Sequence, residues 1–265
     1  RQNKAMGRMN YRDILISELQ TEVFANSYMQ GFATYAPKII DTLTQIIYFC
    51  GKKKDIKTLE GEHYSYCFNQ YLQIPYSFRA CLILYERGHY LEACFIVRYL
   101  FETLVKMKYL GKHKDFIQRV WAGKTIKIPT KKGKERRPLI RDMFEEVSPG
   151  FYERNYGRFL SGVHHSGIAA LLFRTEGKTN KDRTVRMGST WDERTATYVI
   201  NNFTAIGYCY LNNFPRFFPE GFAEAEKDFI FQYDEIIKWL KGAIRSHKRA
   251  NAKSEIWYEE MRGLM

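Results

Sequence analysis

The fold is decided by the stretch His89 to Lys112, HYLEACFIVRYLFETLVKMKYLGK, which carries apolar side chains almost all the way round a helical wheel. A helix of that kind is buried on most sides and belongs in the middle of a bundle. Between Ala93 and Val105 its only charges are Arg98 and Glu102, spaced i and i+4 and so able to pair on one face. Upstream, YSFRACLILYERG (Tyr76 to Gly88) closes a helical region of about 58 to 87 that Pro75 interrupts, and Gly88 makes a tight turn. The two helices are therefore expected to form an antiparallel hairpin. Arg79 and Glu86, seven residues apart, align on the first of them. Four charges are thus expected in an otherwise apolar hairpin, where burying an ion costs on the order of several kcal/mol unless it is paired.

On either side of the hairpin the pattern stays helical. Residues 9–50 read as one or two helices, with Pro37 starting or kinking the second half and Gly51 ending it before Lys52, Lys53 and Lys54. Glu193 to Asn213 and Phe222 to Arg249 read as two long helices joined by the turn FPRFFPEG, with a short helix from Ser254 to Arg262. With no repeat and no long linker, the expectation is a single all-α domain over 1–265. Its core lies at about 58–215, and the flanking helices 9–50 and 222–262 pack on it.

Composition limits the function classes. The chain has 265 residues, 45% of them hydrophobic and 16% aromatic, enough for a substantial core. A formal net charge of +13 gives a positive field that attracts polyanions. Cys50, Cys67, Cys81, Cys94 and Cys209 show no CxxC spacing, which reads as a reduced, cytoplasmic protein without a zinc site. Arg1 to Asp13 carries charges with no apolar run after it, so no secretory signal is expected. Thr195 to Pro215 is long and uncharged, but Asn201, Asn202, Asn212 and Asn213 make it costly in a bilayer, and no membrane partner is expected.

Two segments concentrate chemistry. GKTIKIPTKKGKERRPLIR (Gly123 to Arg141) reads as a loop or hairpin in which Lys124, Lys127, Lys131, Lys132, Lys134, Arg136 and Arg137 can contact phosphates. A second polar insert, Phe173 to Asp192, holds a short hairpin around Lys178 to Asp182. Between the inserts, FYERNYGRFLSGVHHSG (Phe151 to Gly167) is the densest concentration of catalytic residue types. At about 100° per residue, Arg154, Arg158, Ser161 and His165 share one helical sector, with His164 rotated away from it. No glycine-rich phosphate loop is present.

From Tyr76 to Gly167 the chain resembles the HEPN superfamily of helical nucleotide-binding domains. The resemblance rests on RYLFE (Arg98 to Glu102), the LSxxH element Leu160 to His164, and an arginine–histidine pair, Arg158 and His164, with five residues between. It implies a homodimeric, metal-independent ribonuclease of toxin or antiphage-defence type that needs no cofactor. Arg158 would hold the scissile phosphate, His164 would transfer protons with His165 as the rival base, and Ser161 would position the substrate. Arg98 and Glu102 would orient the site, with Arg79 and Arg154 in support. Active members commonly carry a polar residue where this chain has Phe159. The alternative expectation is therefore a non-catalytic RNA-binding or scaffold subunit of a defence complex. A third reading, a nucleotide or anion pocket, uses Arg79, Arg98 and His164.

Overall fold

The computed structural model describes residues 11–28, 30–51, 59–129, 134–153, 175–176, 184–185, 193–250, 261 and 263–265. Within them the chain is predominantly helical. The helices are α1 (Tyr11–Tyr28), α2 (Gln30–Cys50), α3 (Leu59–Tyr71), α4 (Ile74–Glu86), α5 (Tyr90–Lys112), α6 (Asp115–Trp121), α7 (Ile140–Val147), α8 (Glu193–Phe217), α9 (Pro219–Ala223) and α10 (Lys227–Ala250). Two ribbons complete it: β1 (Ile128–Pro129) pairs antiparallel with β2 (Glu135–Arg136), and β3 (Thr175–Glu176) with β4 (Thr184–Val185). The first ribbon falls in the basic insert. The second brackets the expected turn, whose residues 177–183 lie outside the described set.

The turn between α4 and α5 forms as the sequence indicates. Gly88 sits at φ +76°, a left-handed conformation that L side chains resist, while His89 donates its amide to Leu84 O at 2.8 Å. α5 then packs on α4, α8, α7 and α3. Its buried residues include Val97, Leu100, Phe101, Leu104 and Val105, each fully enclosed. They join one apolar cluster with residues of α2, α3, α4, α7, α8 and α10.

Several features depart from expectation. α6 and α7 were not anticipated, because each is short and follows a charged or basic segment. α7 is started by Asp142, whose carboxylate accepts the Leu139 amide at 2.7 Å. α8 does not stop at Asn213 but runs through Pro215 to Phe217. A proline inside a helix removes the bond to the carbonyl four residues earlier, here Leu211 O. That carbonyl instead accepts the Tyr233 hydroxyl from α10 at 2.9 Å, so the helix continues without an orphaned acceptor. The expected turn is largely the end of α8 and the short α9. The helix expected from Ser254 to Arg262 lies almost wholly outside the described residues.

The asparagines that argued against a membrane span act as internal anchors. Asn213, fully buried, donates to Cys209 O at 2.7 Å and Leu264 O at 2.8 Å, and Asn212 donates to Met265 O at 2.7 Å. Gly263 lies against Val147 and Ser148 so closely that a Cβ would collide with the Val147 carbonyl. No helix among the described residues is long and apolar enough to cross a membrane. All five cysteines are buried and free. Burial pushes the Cys50 and Cys209 thiols up to about 12, which leaves them protonated and unreactive at neutral pH.

α1 is fastened by charge. Glu18 accepts from Arg87 Nη1 at 2.9 Å and lies 2.9 Å from His89 Nε2, bridging α1 to the α4–α5 turn. Its hydrogen bond with His89 and then that with Arg87 hold its carboxyl below the usual value, against the opposing effect of burial.

Two expected outcomes follow from these contacts. Tyr233→Phe strips the donor from buried Leu211 O and should lower stability by about 1–3 kcal/mol in urea unfolding, whereas Tyr76→Phe, on a 69% exposed side chain, should change nothing measurable. Because the Glu18 carboxyl is depressed in the folded state, its stabilisation is present at neutral pH and lost as pH falls through the carboxylate range. The urea midpoints of wild type and Glu18→Gln should therefore differ at pH 7 and converge below about pH 4.

Candidate functional site

On α5 the side chains of Phe95, Arg98, Tyr99 and Glu102 fall at i, i+3, i+4 and i+7, one face of a helix. Together they line a surface cavity of about 470 Å³. Arg98 donates from Nε to Glu102 Oε1 at 2.8 Å, the pair anticipated from the spacing. Lys106, one turn further along, brings its Nζ to 3.8 Å from Glu102 Oε2.

The sequence placed these charges inside an apolar hairpin, and the structure corrects that. Arg98 and Glu102 keep 20% and 21% of their side-chain surface, so water still reaches them and the desolvation penalty is partial. Arg79 is exposed and makes no ion pair among the described residues. Glu86 stands near Glu22 of α1, and burial together with that like charge raises its pKa. The four hairpin charges therefore do not assemble into one group. Arg98 and Glu102 do, because i and i+4 on a single helix fixes their separation without help from packing.

Phe151, the first residue of the motif stretch, is fully buried between Phe101 of α5 and Phe144 of α7, with ring centroids 5.4 Å and 5.8 Å away. Phe101 precedes Glu102 but lies on the buried side of α5, so the stretch sets out at the level of Glu102 and from a different face than the one lining the cavity. Around this anchor, Arg141 pairs with Glu153 and lies 5.9 Å from the centre of the Tyr152 ring. Glu145 accepts the Gly150 amide through Oε2 at 3.3 Å, while its Oε1 is buried without a hydrogen-bond partner among the described residues. Arg154, Arg158, Ser161, His164 and His165 all lie outside the described residues, as do Lys131 and Lys132.

The basic ribbon is partly self-neutralised. Arg136 grips Asp142 through both terminal nitrogens at 2.5 Å and 2.7 Å, and this contact lowers the Asp142 pKa. Lys127 stands 3.4 Å from Glu135, and Arg137 donates to Thr125 Oγ1 at 3.0 Å. Lys124 and Lys134 are exposed and form no ion pair among the described residues. Of the expected phosphate contacts, Arg136 is thus a structural residue that braces the start of α7.

Phe95, Tyr99 and Lys106 were missed because an aromatic on an apolar helix reads as core. The available signal was their i, i+3 and i+4 spacing from the only two charges of that run. Lys108 was missed as well: it lies on the same helix near Cys209 of α8, and burial lowers its pKa to about 8. The positive charges of Arg216 and Lys112 add to that shift. Among the described residues no group of three or more His, Cys, Asp or Glu side chains is placed to hold a metal ion.

Since the folded-state pKa of Lys108 is depressed, its charged form opposes folding at neutral pH, and the opposition fades as pH rises towards the unfolded value. Lys108→Met should raise Tm at pH 7, with the gain shrinking between about pH 8 and pH 10 in thermal melts. Compared with known proteins, the chain matches no family model, no curated protein and no solved structure.

Proposed function

We propose that the chain is a metal-independent endoribonuclease of HEPN type, a toxin or antiphage-defence effector acting in the cytoplasm as a homodimer. In this reading the α4–α5 hairpin is the organising unit of a helical bundle. The observation that carries it is the Arg98–Glu102 pair, which forms on α5 as the motif spacing requires and lines a surface cavity there. Arg158 binds the scissile phosphate, which an arginine does bidentately. His164 or His165 removes the ribose 2′-hydroxyl proton and returns a proton to the leaving 5′-oxygen, help worth roughly 10²- to 10⁴-fold in rate. Ser161 positions the substrate. Arg98 and Glu102, fixed to each other at 2.8 Å, orient the site.

Phe159, in place of a polar residue, favours a second reading: a helical RNA-binding or scaffold subunit without catalysis. It differs in predicting salt-sensitive binding that depends on the basic insert and is indifferent to the histidines.

Purified protein incubated with total RNA at low salt in EDTA separates the two. The nuclease reading expects cleavage that drops about 100-fold or more in Arg158→Ala and in one of His164→Ala or His165→Ala. Absence of cleavage, or cleavage unchanged in both histidine variants, would overturn it. In the latter case binding lost on neutralising Lys124, Lys131, Lys132 and Lys134 together supports the scaffold reading.

A further inference from the structure

We propose that Tyr99, Tyr66 and Trp121 form a stacking track for single-stranded nucleic acid, leading across α5, α3 and α6 from the Arg98–Glu102 cavity to the foot of the basic ribbon. The inference rests on the RNA reading given above and supplies the binding mode that reading lacks. Three aromatic side chains distant in sequence are brought to neighbouring positions by the packing of α3 on both α5 and α6. Tyr66 meets Trp121 edge to face, with ring centroids 6.4 Å apart. Tyr99 stands on α5, which packs directly on the α3 that carries Tyr66.

The outer two rings are displayed to solvent: Tyr99 is 42% exposed and Trp121 50%. Large aromatic surfaces left in water forgo burial that a core position would give them, and their faces are the platforms on which unpaired bases stack. At one end of the track stands the cavity, with Arg98 and Lys106. At the other, Lys124 follows Trp121 by three residues and is exposed, ahead of the exposed Lys134. Exposed rings with cations at either end fit an extended polyanion whose bases are free, and the net charge of +13 adds long-range attraction. A duplex offers no unstacked bases to such a surface. An acidic protein partner would use the lysines but would gain little from open ring faces.

The test is fluorescence anisotropy on the full chain with labelled oligomers of about twelve nucleotides: 2′-O-methyl uridine, which cannot be cut through its 2′-hydroxyl, deoxythymidine, and an RNA duplex. Wild type should prefer both single strands to the duplex. Tyr99→Ala and Trp121→Ala should each weaken binding about tenfold or more without altering its salt dependence, whereas Lys124→Gln should flatten that dependence. Because both ring side chains are exposed, circular dichroism should show the variants folded. The track is overturned if wild type binds neither strand, if it prefers the duplex, or if both ring variants bind at full strength. A change in oligomeric mass in those variants with binding intact also overturns it, and assigns the face to protein contact. If binding depends on Tyr99 and Trp121 but total RNA is left uncut in EDTA, the track stands and the nuclease reading falls. Full-strength binding in both ring variants alongside normal, histidine-dependent cleavage removes the track and leaves the nuclease reading in place.

Discussion

Tyr210 is the residue on which the rest of the helical packing turns. Its hydroxyl donates to Leu100 O of α5 at 2.8 Å, and its own carbonyl accepts the Tyr71 hydroxyl of α3 at 2.8 Å. One fully buried residue on α8 thereby links three helices, through its side chain to α5 and its backbone to α3. Leaving either of these two phenols unpaired would cost about 1–3 kcal/mol, so both bonds favour this packing of α3, α5 and α8. Leu100 lies between Tyr99 and Phe101. Fixing its carbonyl against Tyr210 therefore fixes the rotation of α5, which turns Phe101 inward to Phe151 and leaves Tyr99 at the surface.

The same device recurs at other helix contacts. Tyr64 donates to Cys50 O at 2.8 Å, giving a partner to a carbonyl at the end of α2, and Tyr233 replaces the amide that Pro215 lacks. Asn213 reaches from α8 to the last residues of the chain. A core built this way is specified by polar geometry as well as by apolar volume. Its aromatic rings then fill the space between the bonds edge to face, as Phe78 does against Phe203 at 4.8 Å and 89°.

Charge is divided between bracing and display. Arg136, Lys127, Arg141 and Arg87 are each committed to a carboxylate within the fold. Lys124 and Lys134 are not, among the described residues, and they stand beside the exposed face of α6 and the ribbon. Net charge alone does not distinguish the two groups. The distinction depends on which carboxylates the fold brings within about 4 Å.

The amino-acid sequence determined the local features of this protein. The i and i+4 spacing set the Arg98–Glu102 pair, Gly88 set the turn, Pro75 set the break before α4, and the basic insert announced a ribbon, because each depends on neighbours within a few residues. It also determined that the chain is helical, through the period of its apolar residues. Tertiary structure decided the rest. It carried α8 through Pro215 because a tyrosine on another helix supplied the missing donor. It left Arg79 outside, tied Arg136 to Asp142, and moved Tyr66, Tyr99 and Trp121 into one neighbourhood. Those outcomes depend on which helix face meets which, a property of contacts between residues tens to more than a hundred positions apart that no local pattern encodes.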